Sequence, residues 1–229
     1  MLPALILFVL VTALAVVPSA WVAGVIRRHA AERPDAFPLT GAACAASLLA
    51  RHGLVGVTVE ETREGDHYDP DAKAVRLSVP HFHGRSLAAT AIAAHEVGHA
   101  MQDAERYPPL MLRIRIARHA YRIVQFGAVI WILAPIVLTL TGAPALAGAQ
   151  VAAGIVLFAI ALAMHAVTLP VEFDASFARA LPMLRDGGLV AERDLPDARR
   201  ILRAAALTYV AAAIASVLNI LRWWRFGRF

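Results

Sequence analysis

Apolar residues in this chain fall into a few long runs separated by segments that alternate or carry charge. Leu2 to Val25 is apolar except for Thr12, Pro18 and Ser19. Ile123 to Leu140 and Ala145 to Leu169 form two more runs around the turn Thr141-Gly142-Ala143-Pro144, and Ala204 to Leu221 forms a weaker fourth. The first is long enough for a hydrocarbon core about 30 Å thick, the next two are expected to form a helical hairpin in the bilayer, and the fourth could span or could pack against the others. Between the first two runs the pattern changes. Thr40 to His52 reads as a helix ended by Gly53. Val57 to Thr62 and Val75 to Val79 alternate like strands, with turn formers from Gly65 to Asp71 between them. They are expected to pair as a hairpin, with Val75, Leu77 and Val79 facing inward. Ser86 to Gln102 then reads as an alanine-rich helix capped by Ser86.

The expected fold class is a mostly α membrane protein: three to four transmembrane helices plus a small α+β zincin-like domain with a β-hairpin. The boundaries follow the runs. Residues 1–26 form a first transmembrane helix, 27–120 the metal domain, 121–169 a transmembrane helical hairpin, 170–203 a polar loop carrying a further ligand, and 204–229 a fourth apolar helix with a basic, aromatic tail. Hydrophobic residues make up 59% of the chain and charged residues 17%, with a mean hydropathy of +0.60, far from the values of ordinary water-soluble domains. Arg27, Arg28 and Arg33 follow the first run and Arg113, Arg115, Arg118 and Arg122 precede the second. By the positive-inside rule they place the metal domain in the cytoplasm and the whole chain in the cell membrane as a multi-pass protein. The tail, with Arg222, Arg225 and Arg228, conflicts with that rule if the fourth run spans.

The net charge of +5 does not imply nucleic acid. Lys73 is the single lysine among the basic residues, and the arginines stand mostly beside apolar runs, where anionic lipid is the natural partner. Cys44, the lone cysteine, excludes an intramolecular disulfide and sits among alanines as a packing residue.

The chemistry concentrates in His95-Glu96-Val97-Gly98-His99. Residues i and i+4 share a helix face, so two imidazoles can close on one zinc ion. Glu96, one position further round, can reach a water on the open side of that ion and act as general base. Shuffling such a composition yields this motif in about one percent of chains. Gly98 weakens a helix, so either something packs closely there or a metal leaves little room. The third ligand is not supplied by an extended motif, because Gln102 and Glu105 stand where glycine and histidine are needed. Glu172, in Leu169-Pro170-Val171-Glu172-Phe173-Asp174-Ala175-Ser176, is the choice, with Asp174 orienting a histidine. The same segment would also suit a plain helix start, with Pro170 in its first position and acidic residues in its first turn. His165, His67, His81, His83 and His119 are rival ligands, and His67 or Tyr68 could instead stabilise an oxyanion.

Ala94-His95-Glu96-Val97-Gly98-His99-Ala100-Met101-Gln102, the turn Asp66-His67-Tyr68-Asp69-Pro70, Gly84-Arg85-Ser86 and Pro170 to Ser176 together resemble the YugP-type membrane zinc metallopeptidases of bacteria. The resemblance implies one catalytic Zn2+ at His95 and His99, catalysis by Glu96, third ligation by Glu172, and a protein or peptide substrate. A looser likeness to the CAAX-processing and heat-shock membrane proteases fails at Ser176, where their motif has aspartate. Two other functions compete with a membrane-anchored endopeptidase. One is an intramembrane protease, which Leu184-Arg185-Asp186-Gly187-Gly188 resembles faintly; the other is a non-catalytic membrane scaffold with a structural metal site.

Overall fold

A computed structural model describes residues 16–118, 139 and 144–208. The chain divides into two compact units, one of Met1–Tyr107 with Leu169–Phe229 and the other of Pro108–Thr168. The second unit holds a helix at 108–118 (α5) and the greater part of α6, Pro144–Phe173. The first unit holds everything that bears on the chemistry. Its elements in order are a helix at 16–28 (α1), α2 Gly41–Arg51, β1 Thr58–Thr62, β2 His67–Asp69, β3 Ala74–Ser78, α3 Val79–His83 and α4 Leu87–Ala104. After α6 the chain turns through a π-helical segment, Asp174–Ala180, then α7, Leu181–Asp186, a short 3-10 turn at Glu192–Asp194, and a helix at 195–208 (α8).

Local chemistry sets the ends of the two helices at the centre of this unit. The Thr40 hydroxyl accepts from Ala43 N at 3.2 Å and starts α2, while Gly53 leaves it at φ +71°, a conformation glycine adopts without strain. Gly41, Cys44, Ala45, Leu48 and Leu49 form its buried stripe, the spacing of an amphipathic helix facing a core. Ser86 caps α4 by accepting from Ala89 N at 3.2 Å. Every residue of α4 from Leu87 to Ala100 is buried. Its alanines let neighbours come close on all sides, and α2, α3, β3 and the π segment pack around it.

The sheet corrects the expected hairpin. β1 and β3, the two runs read as its arms, pair in parallel, Glu60 opposite Arg76, and β2 lies antiparallel on the other side of β3. A parallel pair cannot be joined by a tight turn. Residues 63–73 make the crossing, and β2 is the strand that brings the chain back along β3. Arg76 on the central strand is held between Glu60 at 3.1 Å and Asp69 at 2.6 Å, one carboxylate from each flanking strand. Val75 and Leu77 face inward, but Val79 leaves the strand to begin α3 and is exposed. Because β3 is central, its backbone is not an open edge.

The membrane architecture is corrected as well. Among the described residues no helix is long and apolar enough to cross a membrane, so three to four transmembrane helices and a multi-pass arrangement are not supported. Hydropathy counts apolar residues without knowing what covers them, and a helix apolar all round can equally be enclosed by protein. α4 is such a case. Much of the runs at 2–25, 123–140 and 204–221, and the turn at 141–143, lies outside the described residues. Pro170 is also not at a helix start: it lies inside α6, which continues to Phe173.

Candidate metal centre

His95 and His99 lie one turn apart on α4, and their Nε2 atoms stand 3.2 Å from each other, with the rings nearly perpendicular at 81°. Glu172, in the last turn of α6, places Oε2 3.2 Å from His95 Nε2 and 3.3 Å from His99 Nε2. Among the described residues these three form the one group of histidine and acidic side chains placed so that it could hold a metal ion. Ligand atoms in a tetrahedral zinc site lie about 2.0–2.1 Å from the ion and hence about 3.3–3.4 Å from one another. The triangle fits that ion without rearrangement. Three such atoms make one face of a tetrahedron, and a catalytic zinc site keeps the fourth position for water or substrate.

The proton positions fit as well. The Ser176 hydroxyl donates its one hydrogen to Leu202 O at 3.1 Å, so at 3.0 Å it can only accept from His95 Nδ1–H. The Gln102 amide spends its two donors on Val171 O at 2.8 Å and Asp174 Oδ2 at 2.7 Å, so its Oε1 accepts from His99 Nδ1–H at 2.9 Å. Both rings therefore donate from Nδ1 and face the triangle with Nε2, whose lone pair in the neutral ring is the one a cation needs.

One glycine makes the assembly possible. A Cβ on Gly98 would stand 2.8 Å from Ala175 O and 3.3 Å from two more backbone atoms of the same residue. Close approach is thus the reason for glycine here. It lets the π segment lie directly on α4 between the two histidines, and Ala175 sits between Glu172 and Ser176. π turns inside helices recur at functional sites.

Burial and charge act together. His95, His99, Glu96 and Glu172 are 4, 8, 5 and 1% exposed. Burial alone would raise Glu172, but His99 and then His95 override it and hold its carboxyl far below the usual carboxylate range. For His99, burial opposes the charged ring and Glu172 outweighs it, so the pKa is raised. Glu96 is raised, first by burial; His95 and His99 oppose the shift, while Glu172 and Asp66 add to it.

The other sequence candidates lie further out. Asp174 reaches His99 only through Gln102. The His67 ring bonds Gly65 O at 2.9 Å, and the Tyr68 hydroxyl is spent on Asp103 at 2.7 Å, with Lys73 on the same carboxylate. Neither is bonded to the triangle. Ser176, Gln102 and Asp66 were missed. Asp66 accepts from Ser78 N and Oγ at 2.8 and 2.9 Å and from His81 Nδ1 at 2.7 Å, and its charge acts on Glu96. The signals were there: Ser176 follows Glu172 by four residues, and Gln102 follows His99 by three, each on the same helix face.

Two comparisons bear on this arrangement. A family model described as "Putative neutral zinc metallopeptidase" matches residues 4–227. The "Putative membrane protease YugP" of Bacillus subtilis (strain 168) is 41% identical over 186 residues, 80% of this chain and 79% of that protein. No solved structure matches. With nearly its whole length under one family model and a relative of that similarity, the chain belongs to the family described as putative neutral zinc metallopeptidases.

Proposed function

We propose that this protein is a zinc-dependent endopeptidase in which His95, His99 and Glu172 hold the ion and Glu96 is the general base. The observation that carries the reading is the triangle of two Nε2 lone pairs and one carboxylate oxygen at 3.2–3.3 Å, spaced for a catalytic site with one position left open. Zinc held there would supply a Lewis acid for the substrate carbonyl and lower the pKa of a bound water toward about 7. Glu96, next to His95 on α4, takes the proton from the attacking water as the new carbon–oxygen bond forms. It then delivers that proton to the amine as the carbon–nitrogen bond breaks. Its burial raises its proton affinity, which suits a group that must accept and return a proton. Glu172 stays ionised beside the histidines and offsets the charge of a divalent ion.

A buried carboxylate next to His95 on the same helix favours catalysis over a structural metal site, which has no need of a base. Action at a membrane is supported by the relative's name and by the apolar composition; flotation of the protein with phospholipid vesicles checks it. Zinc content and cleavage of an unfolded protein by the purified chain test the chemistry. Glu96→Gln is expected to keep one zinc per chain and lose activity by about 10²–10⁴-fold, whereas Glu172→Gln and His95→Ala lose the metal. Undiminished turnover in Glu96→Gln, or full zinc content in Glu172→Gln, would overturn the assignment.

A further inference from the structure

Behind the triangle, α4 and the π segment are joined a second time. Arg179 donates Nε–H to Asp174 Oδ2 at 2.7 Å and its two terminal nitrogens to the Glu105 carboxylate, both at 2.8 Å, while its guanidinium lies 5.7 Å from the centre of the Tyr107 ring. The two arms differ in setting. The Arg179 side chain is 11% exposed, Asp174 20%, and Glu105, just past the end of α4, is 57% exposed. The inner arm ends on the same Asp174 oxygen that receives the Gln102 amide.

We propose that Arg179 is a positioning residue for the metal centre: by holding Asp174 in place as an acceptor, it locks the Gln102 amide and, through it, the tautomer of His99. The inference rests on reading the triangle as a metal site. A glutamine amide can sit in two orientations related by a half turn. In the observed one, Oε1 faces His99 Nδ1–H and both amide hydrogens go to acceptors. In the other, the amide nitrogen would face His99 Nδ1, that nitrogen would need a lone pair, and the ring proton would move to Nε2, aimed at the ion. Asp174 Oδ2 already accepts from Arg179, so it forbids the half turn, because Gln102 Oε1 would then meet oxygen. Val171 O imposes the same sign, but a lone carbonyl is a weaker restraint than a charged acceptor.

Arg179 keeps that acceptor turned inward. Without it the Asp174 carboxylate can swing to solvent, and the amide loses its stronger restraint. Lysine cannot substitute, because one ammonium cannot place a donor on Asp174 and a parallel pair on Glu105 from the same side chain. Tethering of histidine ligands by such outer partners commonly accounts for 10–100-fold in metal affinity.

The experiment measures zinc affinity of the full chain by competition with a chromogenic chelator, together with 15N chemical shifts of the histidine side chains in zinc-free protein. The second readout reports the His99 tautomer without reference to activity. Arg179→Met and Arg179→Lys are each expected to weaken zinc binding 10–100-fold and to raise the share of the Nε2–H tautomer in the neutral His99 ring above that of the unaltered protein. Glu105→Ala, which cuts only the exposed arm, is expected to change affinity less than twofold and to leave the tautomer alone. If Arg179→Met does not fold, Asp174→Ala, which removes the acceptor itself, must give the same two signatures. Arg179→Met with zinc affinity within twofold of the original overturns the proposal. So does Glu105→Ala weakening zinc as much, since the effect would then come from clamping two segments rather than from Gln102. Should the unaltered chain bind no zinc, the metal reading itself fails, while the histidine shifts still decide whether Arg179 governs the tautomer.

Discussion

Replacing Gly98 by alanine should damage the metal centre even though alanine is the best helix former and the site lies in mid-helix. On propensity alone the change favours α4 by about 1 kcal/mol. Against this, the new Cβ would stand 2.8 Å from Ala175 O and 3.3 Å from two further backbone atoms. Neither partner is the end of a flexible side chain, so relief requires the π segment to move off α4. Ordinary contact begins near 3.4 Å, and the displacement needed is therefore about 0.6 Å, the difference from 2.8 Å. Overpacking of this kind costs about 1–3 kcal/mol. The net destabilisation expected is thus about 0–2 kcal/mol, a small fall in the midpoint of urea unfolding. The effect on the metal is larger, because Ala175 lies between Glu172 and Ser176 and carries both with it. Zinc bonds hold to within about 0.2 Å, so a shift three times that size should loosen zinc by tenfold or more. Chelator competition on Gly98→Ala and the unaltered chain measures this directly. A variant that is more stable and binds zinc equally well would refute the claim that close approach is why residue 98 is glycine.

Gln102→Leu strips three hydrogen bonds from buried partners, His99, Val171 O and Asp174; it should lower stability by about 1–3 kcal/mol and weaken zinc, and an unchanged urea midpoint would contradict the network. Cys44 is fully buried and its thiol is pushed up to about 12 by burial; it should resist a water-soluble disulfide reagent in the native state and react once per chain in denaturant, so rapid native reaction would show the α2–α4 core to be open. For Asp66, burial raises the carboxyl, but His81 and Ser78 outweigh it and hold the pKa below 3.8. A lowered folded-state pKa gives stability that is present above the unfolded value and lost as pH falls through the folded one. The stability gap between the unaltered chain and Asp66→Asn should therefore be widest near neutrality and close below about pH 4; a gap that widens in acid would reverse the sign of the argument.

What could be read from the sequence was local. Thr40, Gly53 and Ser86 mark helix ends through hydrogen bonds and backbone freedom within a few residues, and α2 and α4 form where those signals stand. The spacing of His95 and His99 sets two imidazoles on one face of any helix. Strand pairing was not legible, because alternation states which side of a strand is apolar and is silent about whether its neighbour runs parallel; β2, three residues long, reversed the expected partnership of β1 and β3. Long apolar runs were ambiguous for a similar reason: a residue's hydropathy does not identify what surrounds it, and α4 spends its alanines on protein neighbours. Gln102 and Ser176 gave only a faint signal, one polar side chain each on a largely apolar face.

The sequence by itself determined the chemical inventory of this protein: two imidazoles and a base on one helix, and an acidic segment some seventy residues downstream. Only the tertiary structure decided which atoms meet. Bringing Glu172 Oε2 within 3.3 Å of both rings depends on a π turn, on a glycine that admits it, and on two hydrogen-bond relays that orient the imidazoles. Apart from the His99–Gln102 bond, these are contacts between residues far apart in the chain. Their energies depend on distances of a few ångströms, which no pattern along one strand of sequence encodes.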